Sequence, residues 1–257
     1  MSLLPKEHGA YGQLAFPILT AFLVAGVSTG GLLIATAVIA GFLAHEPAAI
    51  LLGIRGTRAQ REWSHAVLWL GCTVVVGVAA GAGALFRGDV ATRWSMLIPL
   101  APTLLLAIST ARGRDKSWVG EVAASLAFSG AAMPIALAAS APVQTGAAVA
   151  IPFALLFVAS TLAIRVVILK VRGGGNAGAT TATRRATLLL AAGATLALSA
   201  ASIVDLLPIS VLVASAPGLV LSALIAANPP APNHLRTLGW TLIGTSLLTA
   251  AIVVASV

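Results

Sequence analysis

Charge is what this chain has least of. Only 9% of its 257 residues are charged and seven are acidic, whereas a soluble domain carries about a quarter charged residues. No water-facing surface can be assembled from so few, which excludes a soluble globular fold. Cysteine is nearly missing too. Cys72, the one cysteine, lies inside an apolar run, which excludes disulfides and any cysteine-based redox or zinc framework. Segments that alternate apolar with polar residues are lacking, which excludes a membrane β-barrel. There is no H-E-x-x-H metalloprotease pattern, no Walker phosphate loop and no N-D-x-x-D pattern.

What is there is apolar. Hydrophobic residues make up 59% of the chain, and the mean hydropathy is +1.02. Uncharged runs of about 20 residues recur, the length that crosses a bilayer as helix, and in lipid a helix satisfies its own backbone. The pattern predicts an all-α polytopic membrane protein, one transmembrane domain over 1–257. Nine spans are expected, at 10–27, 30–52, 66–86, 94–110, 118–140, 146–170, 185–204, 206–227 and 237–256. Ser28–Gly31 supplies a tight turn between the first two, and Asp205 with Pro208 another before the eighth. An acid precedes the first apolar run and a second span follows at once, so no cleavable signal is expected. Residues 173–183, rich in glycine and threonine, read as a flexible connector. Asn228–Asn233, with three prolines, reads as a rigid extended turn.

The short loops fix an orientation. Lys6, Arg55, Arg58, Arg61, Arg112, Arg114, Lys116, Lys170, Arg172, Arg184, Arg185 and Arg236 fall on one side, 12 basic residues against two (Arg87 and Arg93) on the other. The positive-inside rule places the N-terminus in the cytoplasm and the C-terminus outside. It also accounts for the net charge of +8 without nucleic acid, leaving membrane lipids and a hydrophobic small molecule as the expected partners. The oligomeric state is not encoded in any pattern. All four histidines and five of the seven acids share the cytoplasmic side, and the rule for Lys and Arg does not explain those. A carrier needs polar groups near the midplane. Groups gathered at one face suit a cavity open to cytosol and lipid.

Candidate site residues follow from depth and company. Lys6-Glu7-His8 stands at the mouth of the first span, a proton donor/acceptor pair beside an anion clamp. His45-Glu46-Pro47 interrupts the second apolar run, and ionisable residues at such depth are costly unless they face an interior. Arg55, Arg58, Arg61, Glu62 and His65 recur every three or four residues, as if sharing one helical face, with Arg55 best placed to look inward. Arg112 and Lys116 sit at the interface before Trp118, and Glu121 lies one turn inside the fifth span. Arg165 is about 7.5 Å deeper than Lys170 at 1.5 Å per residue. It calls for an acidic partner, Glu46 or Glu121, or an anionic ligand. The catalytic set is therefore Glu7, His8, His45, Glu46 and Glu121. The substrate-binding set is Lys6, Arg55, Arg112, Lys116, Arg165 and Lys170. A single divalent metal, if one is bound, would fall to Glu7, His8, His45 and Glu46.

Pro5-Lys6-Glu7-His8-Gly9-Ala10-Tyr11, His45-Glu46-Pro47 and the arginines after it, Arg114–Glu121 and Arg165 together resemble the YwiC-like family of bacterial membrane proteins. That resemblance implies a multi-pass membrane protein and no particular reaction. In organisation the nine-span plan also resembles the UbiA superfamily of intramembrane prenyltransferases. Those enzymes hold a prenyl diphosphate through magnesium on two aspartate-rich motifs, after the second and sixth spans. Here the second span offers His45-Glu46-Pro47, and the sixth ends in Arg165 and Lys170 with no aspartate. The resemblance thus implies a UbiA-like helical bundle without magnesium held in that manner. The expected function is an intramembrane enzyme acting on an isoprenoid or quinone-like lipid. A small-anion permease and a non-catalytic membrane protein are the alternatives.

Overall fold

The structure, a computed structural model, describes residues 3–4, 8–171 and 177–257. Among these there are helices and no strands. The elements are α1 (His8–Ala25), α2 (Thr29–Leu51), α3 (Thr57–Gln60), α4 (Trp63–Arg87), α5 (Val90–Ala111) and α6 (Trp118–Ala138). After them come α7 (Val143–Val171), α8 (Ala177–Ile203), α9 (Ile209–Ala227) and α10 (Leu235–Ser256). Eight of these are long and apolar enough to cross a membrane. The remaining candidate, α1, has 18 residues, about 27 Å of helix at 1.5 Å per residue. The chain is a polytopic helical membrane protein.

Helix ends fall where local chemistry puts them. Ser28 caps α2 by accepting from the Gly31 N–H at 3.0 Å, so the turn is confined to residues 26–28. Asp89 does the same for α5 through the Thr92 N–H at 2.8 Å, and Ser117 for α6 through the Gly120 N–H at 3.3 Å. One expectation fails at α8. Ala177–Thr183, read as part of a flexible connector, is the first part of that helix. Its alanines favour helix, and the Thr183 hydroxyl bonds back to the Ala179 carbonyl at 2.9 Å. Residues 173–176 of the same stretch lie outside the described residues.

The chain packs as two compact units, one ending at Gly146 and one starting at Ala147. In the first, α6 is the buried centre, covered by α1, α2 and α5. Phe42 of α2 makes edge contacts with Tyr11 of α1 (5.0 Å between ring centres) and Phe128 of α6 (5.6 Å), tying three helices together. Helix α4 lies against α2, where Gly77 meets Ala40 and Gly81 approaches Ala37, the close approach that small residues permit in membranes. The outer surface of α4 is apolar and exposed, as a lipid-facing surface should be.

The second unit is built around α9. Val211, Ala214, Gly218, Leu219, Ile225 and Ala226 are buried at helical spacing. They meet α7 and α8 in layers: Ala148 with Leu198 and Val211, then Ala159 with Ala191 and Leu219. A further layer joins Ala163 and Val167 to Ile225. Gly218 sits so close to Leu156 that a side chain there would collide with it. Thr249 of α10 donates across to the Ala214 carbonyl of α9 at 3.2 Å.

Candidate functional site

Two helix ends of the first unit stop in the same way. At the end of α2, Gly53 adopts φ +74°, and at the end of α5, Gly113 adopts φ +65°, both in the left-handed region that glycine enters freely. Each glycine N–H bonds three residues back, Gly53 to Ile50 at 2.9 Å and Gly113 to Thr110 at 2.8 Å. Each following N–H bonds five back, Ile54 to Ala49 at 3.0 Å and Arg114 to Ser109 at 2.8 Å. These are paired Schellman endings. In both, the residue two after the glycine turns inward, Arg55 in one and Asp115 in the other, and the two side chains meet.

Arg55 lies between two carboxylates. Its Nε donates to Glu46 Oε1 and Oε2 at 3.1 and 3.0 Å, its Nη2 to Glu46 Oε2 at 2.9 Å, and its Nη1 to Asp115 Oδ2 at 3.0 Å. The fork geometry makes this a bidentate pair with a third arm, which a lysine could not reproduce. His45 Nε2 stands 3.7 Å from the same Asp115 oxygen. Side-chain exposure is 18% for Arg55, 11% for Glu46, 7% for Asp115 and 25% for His45. His45 is thus the member most open to a visitor. Burial alone would lower the Arg55 pKa. Hydrogen bonding and charge from Glu46, with Asp115 behind, outweigh it and hold the guanidinium above its ordinary value. Two carboxylates against one guanidinium leave one formal negative charge before His45 is counted.

The loop geometry of Asp115 leaves no slack. A methyl group at Gly120, in the first turn of α6, would run into the Asp115 carbonyl. The end of α1 is near as well. Tyr11, in the first turn of α1, makes its edge contact with Phe42, three residues before His45 on α2.

The residues picked from sequence are not all brought together. His45, Glu46 and Arg55 converge, and Asp115 joins them. Lys6 and Glu7 lie outside the described residues, as does the side chain of His8. Arg112 and Lys116 flank Asp115 and are exposed, and Glu121 is half-buried in the first turn of α6. Arg165 and Lys170 belong to the second unit. Arg165 is half-buried on α7, and Lys170 donates to the Pro229 carbonyl at 3.2 Å. Glu46, expected as a partner for Arg165, gives both oxygens to Arg55. The shared helical face expected for Arg55, Arg61 and His65 does not form. Gly53 and Gly56 take positive φ, so Arg55 sits in a turn, Arg61 follows α3, and His65 is on α4. His65 pairs with Glu62 at 3.2 Å on the exposed side. No group of three or more His, Cys, Asp or Glu able to hold a metal occurs among the described residues. The guanidinium stands where Glu46 and Asp115 would otherwise share a cation.

Asp115 is the residue sequence reasoning passed over, since its loop reads as a basic interfacial turn. The available signal was the register: Gly113-x-Asp115 repeats Gly53-x-Arg55.

The profile of the family described as YwiC-like protein matches residues 4–137, just over half of the 257. The chain belongs to the YwiC-like family. The matched segment takes in all four residues of the cluster of this YwiC-like protein and ends inside α6. No curated protein and no solved structure matches the chain.

Proposed function

We propose that this YwiC-like protein is an intramembrane enzyme of the bacterial inner membrane, acting on a lipid-soluble substrate of isoprenoid or quinone type. Its plan is that of the UbiA prenyltransferases without their magnesium chemistry. The observation that carries the reading is His45 against Asp115, half-open, beside the Glu46 carboxylate and the Arg55 guanidinium. A histidine backed by a carboxylate is the usual means of taking a proton from, or giving one to, a bound molecule. Arg55 holds the Asp115 carboxylate in place with its 3.0 Å hydrogen bond, which makes Arg55 a positioning residue, with Asp115 behind His45 and His45 the group most open to substrate. Glu7, His8 and Glu121 are further candidates for proton transfer. Lys6, Arg112 and Lys116 would meet a polar head at the same end, and Arg165 and Lys170 would hold an anionic head in the second unit.

A second reading is a non-catalytic role in which the network only staples α2 to the α5–α6 loop. It is favoured by the fact that all three Arg55 nitrogens are already engaged within the protein. The same fact weighs against the small-anion permease, at least with Arg55 as its binding cation. Lipid extracts from cells lacking the protein, and from the same cells given wild type or His45→Ala, separate the two. An isoprenoid or quinone species that changes on deletion, returns with wild type and not with an equally abundant His45→Ala supports the enzyme. Extracts that do not differ refute it.

A further inference from the structure

Helices α2 and α4 enclose between them a groove of about 330 Å³ that opens outward. Thr36, Ile39 and Leu43 line it from α2, and Trp69, Cys72 and Val76 from α4. Each set follows a spacing of three and four, one stripe of a helix. The two helices touch at its floor, where Gly77 meets Ala40. Its walls offer no polar atom to an occupant. The Thr36 hydroxyl is turned to the Leu32 carbonyl at 2.8 Å, and that of Thr73 to the Trp69 carbonyl at 2.9 Å. The stripe runs about 10 Å from Thr36 to Leu43 at 1.5 Å per residue. One turn further on α2 it reaches Glu46, the carboxylate that shares Arg55 with Asp115.

We infer that this groove seats the tail of a quinol-type lipid whose hydroxyl head hydrogen-bonds at the Glu46–Asp115 cluster. The inference rests on the function proposed above and names the form of its substrate. Charge complementarity selects the head. The cluster carries one carboxylate more than it has guanidinium, so a head that only accepts hydrogen bonds, as a quinone carbonyl or a diphosphate does, finds its donor at His45 and leaves the carboxylate oxygens unmet. A hydroquinone donates, and charge-assisted O–H···O⁻ bonds are the strong ones. The wall selects the tail, because an apolar slot one helix stripe wide fits a single chain.

The protein carries its own reporter, since Cys72 is the only cysteine and it is exposed in this groove. The full chain in phosphatidylcholine nanodiscs is treated with a lipid-soluble maleimide. A decyl-tailed, fully substituted benzohydroquinone, held reduced, is present or absent. The expected result is alkylation of Cys72 slowed at least several-fold by the hydroquinone, less by the matching quinone, and not by decane. Ile39→Trp, which fills the slot, and Glu46→Gln, which removes the charge, should each abolish the difference between hydroquinone and quinone. Equal protection by the quinone or by decane would overturn the inference. So would protection that follows protein density in the disc rather than probe concentration, because a second copy would then be the cover. If Cys72 reacts alike with and without hydroquinone while cellular lipids still depend on His45, the groove is wrong and the enzyme reading stands. If deletion leaves cellular lipids unchanged, the enzyme reading fails whatever Cys72 does.

Discussion

In the unit ending at Gly146, the buried polar residues include Glu46 and Asp115; in the unit starting at Ala147, every buried polar residue among those described is a serine or threonine. A hydroxyl inside a membrane helix can bond to the carbonyl three or four residues back, as Ser215 does to Val211 at 2.7 Å and Thr187 to Thr183 at 2.9 Å. Nothing outside the helix has to be arranged for it. A carboxylate cannot do this. It needs a cation delivered from elsewhere, and the first unit delivers one with two matched glycine turns and a close-packed Gly120. The second unit is therefore held by layers of apolar side chains, and the first by layers plus a charge network that depends on loop geometry. The family match, residues 4–137, covers the part with the network.

The largest effect should come from removing the cation. Arg55→Ala leaves Glu46 and Asp115 buried without a counter-charge and should lower stability by about 3 kcal/mol, the lower end for breaking a buried pair. Arg55→Lys should recover only part of that, since it cannot fork. Unfolding of the purified protein in one detergent measures both. Lys170→Ala in the second unit, where one exposed side chain meets one carbonyl, should fall within about 0.5 kcal/mol of wild type. Equal losses at Arg55 and Lys170 would erase the distinction between the units.

Gly120→Ala and Gly218→Ala put the same methyl group into a tight place in each unit, one against the Asp115 backbone and one against Leu156. Each should cost about 1–3 kcal/mol as overpacking. Only Gly120→Ala should also change lipid retention, because only it displaces a member of the cluster. Next comes Gly113→Ala, which imposes a side chain at φ +65° and should cost about 1 kcal/mol. Thr249→Val, which deletes the α10-to-α9 hydrogen bond, should cost about 0.6 kcal/mol, the average for such bonds between membrane helices.

The smallest effect concerns pH. At the start of α5 the Thr92 hydroxyl, and then its backbone N–H, hold the Asp89 carboxyl below the usual carboxylate range. A depressed pKa contributes stability that is present above the ordinary carboxylate value and is lost as pH falls through the lowered one. Asp89→Asn should therefore flatten the acid limb of the stability profile slightly and leave neutral pH alone. Asp89 is fully exposed, so the change is a small one.

How much of this was legible depended on range. Span positions were readable because hydropathy over about 20 residues is a local property; the expected 30–52 and the observed Thr29–Leu51 agree closely. The connector before α8 was misread because threonine in a glycine-rich setting resembles a loop until its hydroxyl finds a helix carbonyl. Arg55 could be singled out as facing inward. Its partner Asp115 was passed over, because 60 residues separate them and the one local hint was the repeated glycine register of the twin Schellman turns that bring them to one place. Depth alone marked Glu46 as needing a cation, and Arg165 was the one set against it; Arg55, nearer in the chain, is the one it holds.

The most direct measurement is native mass spectrometry of lipid retained by purified wild type and His45→Ala, each released from the same detergent. If the cluster exists to meet a lipid head, wild type keeps a stoichiometric prenyl or quinone-type lipid, and His45→Ala, equally folded, loses it. Retention of the same lipid at the same stoichiometry by both proteins would contradict that, and would leave the network as a staple between two helix ends.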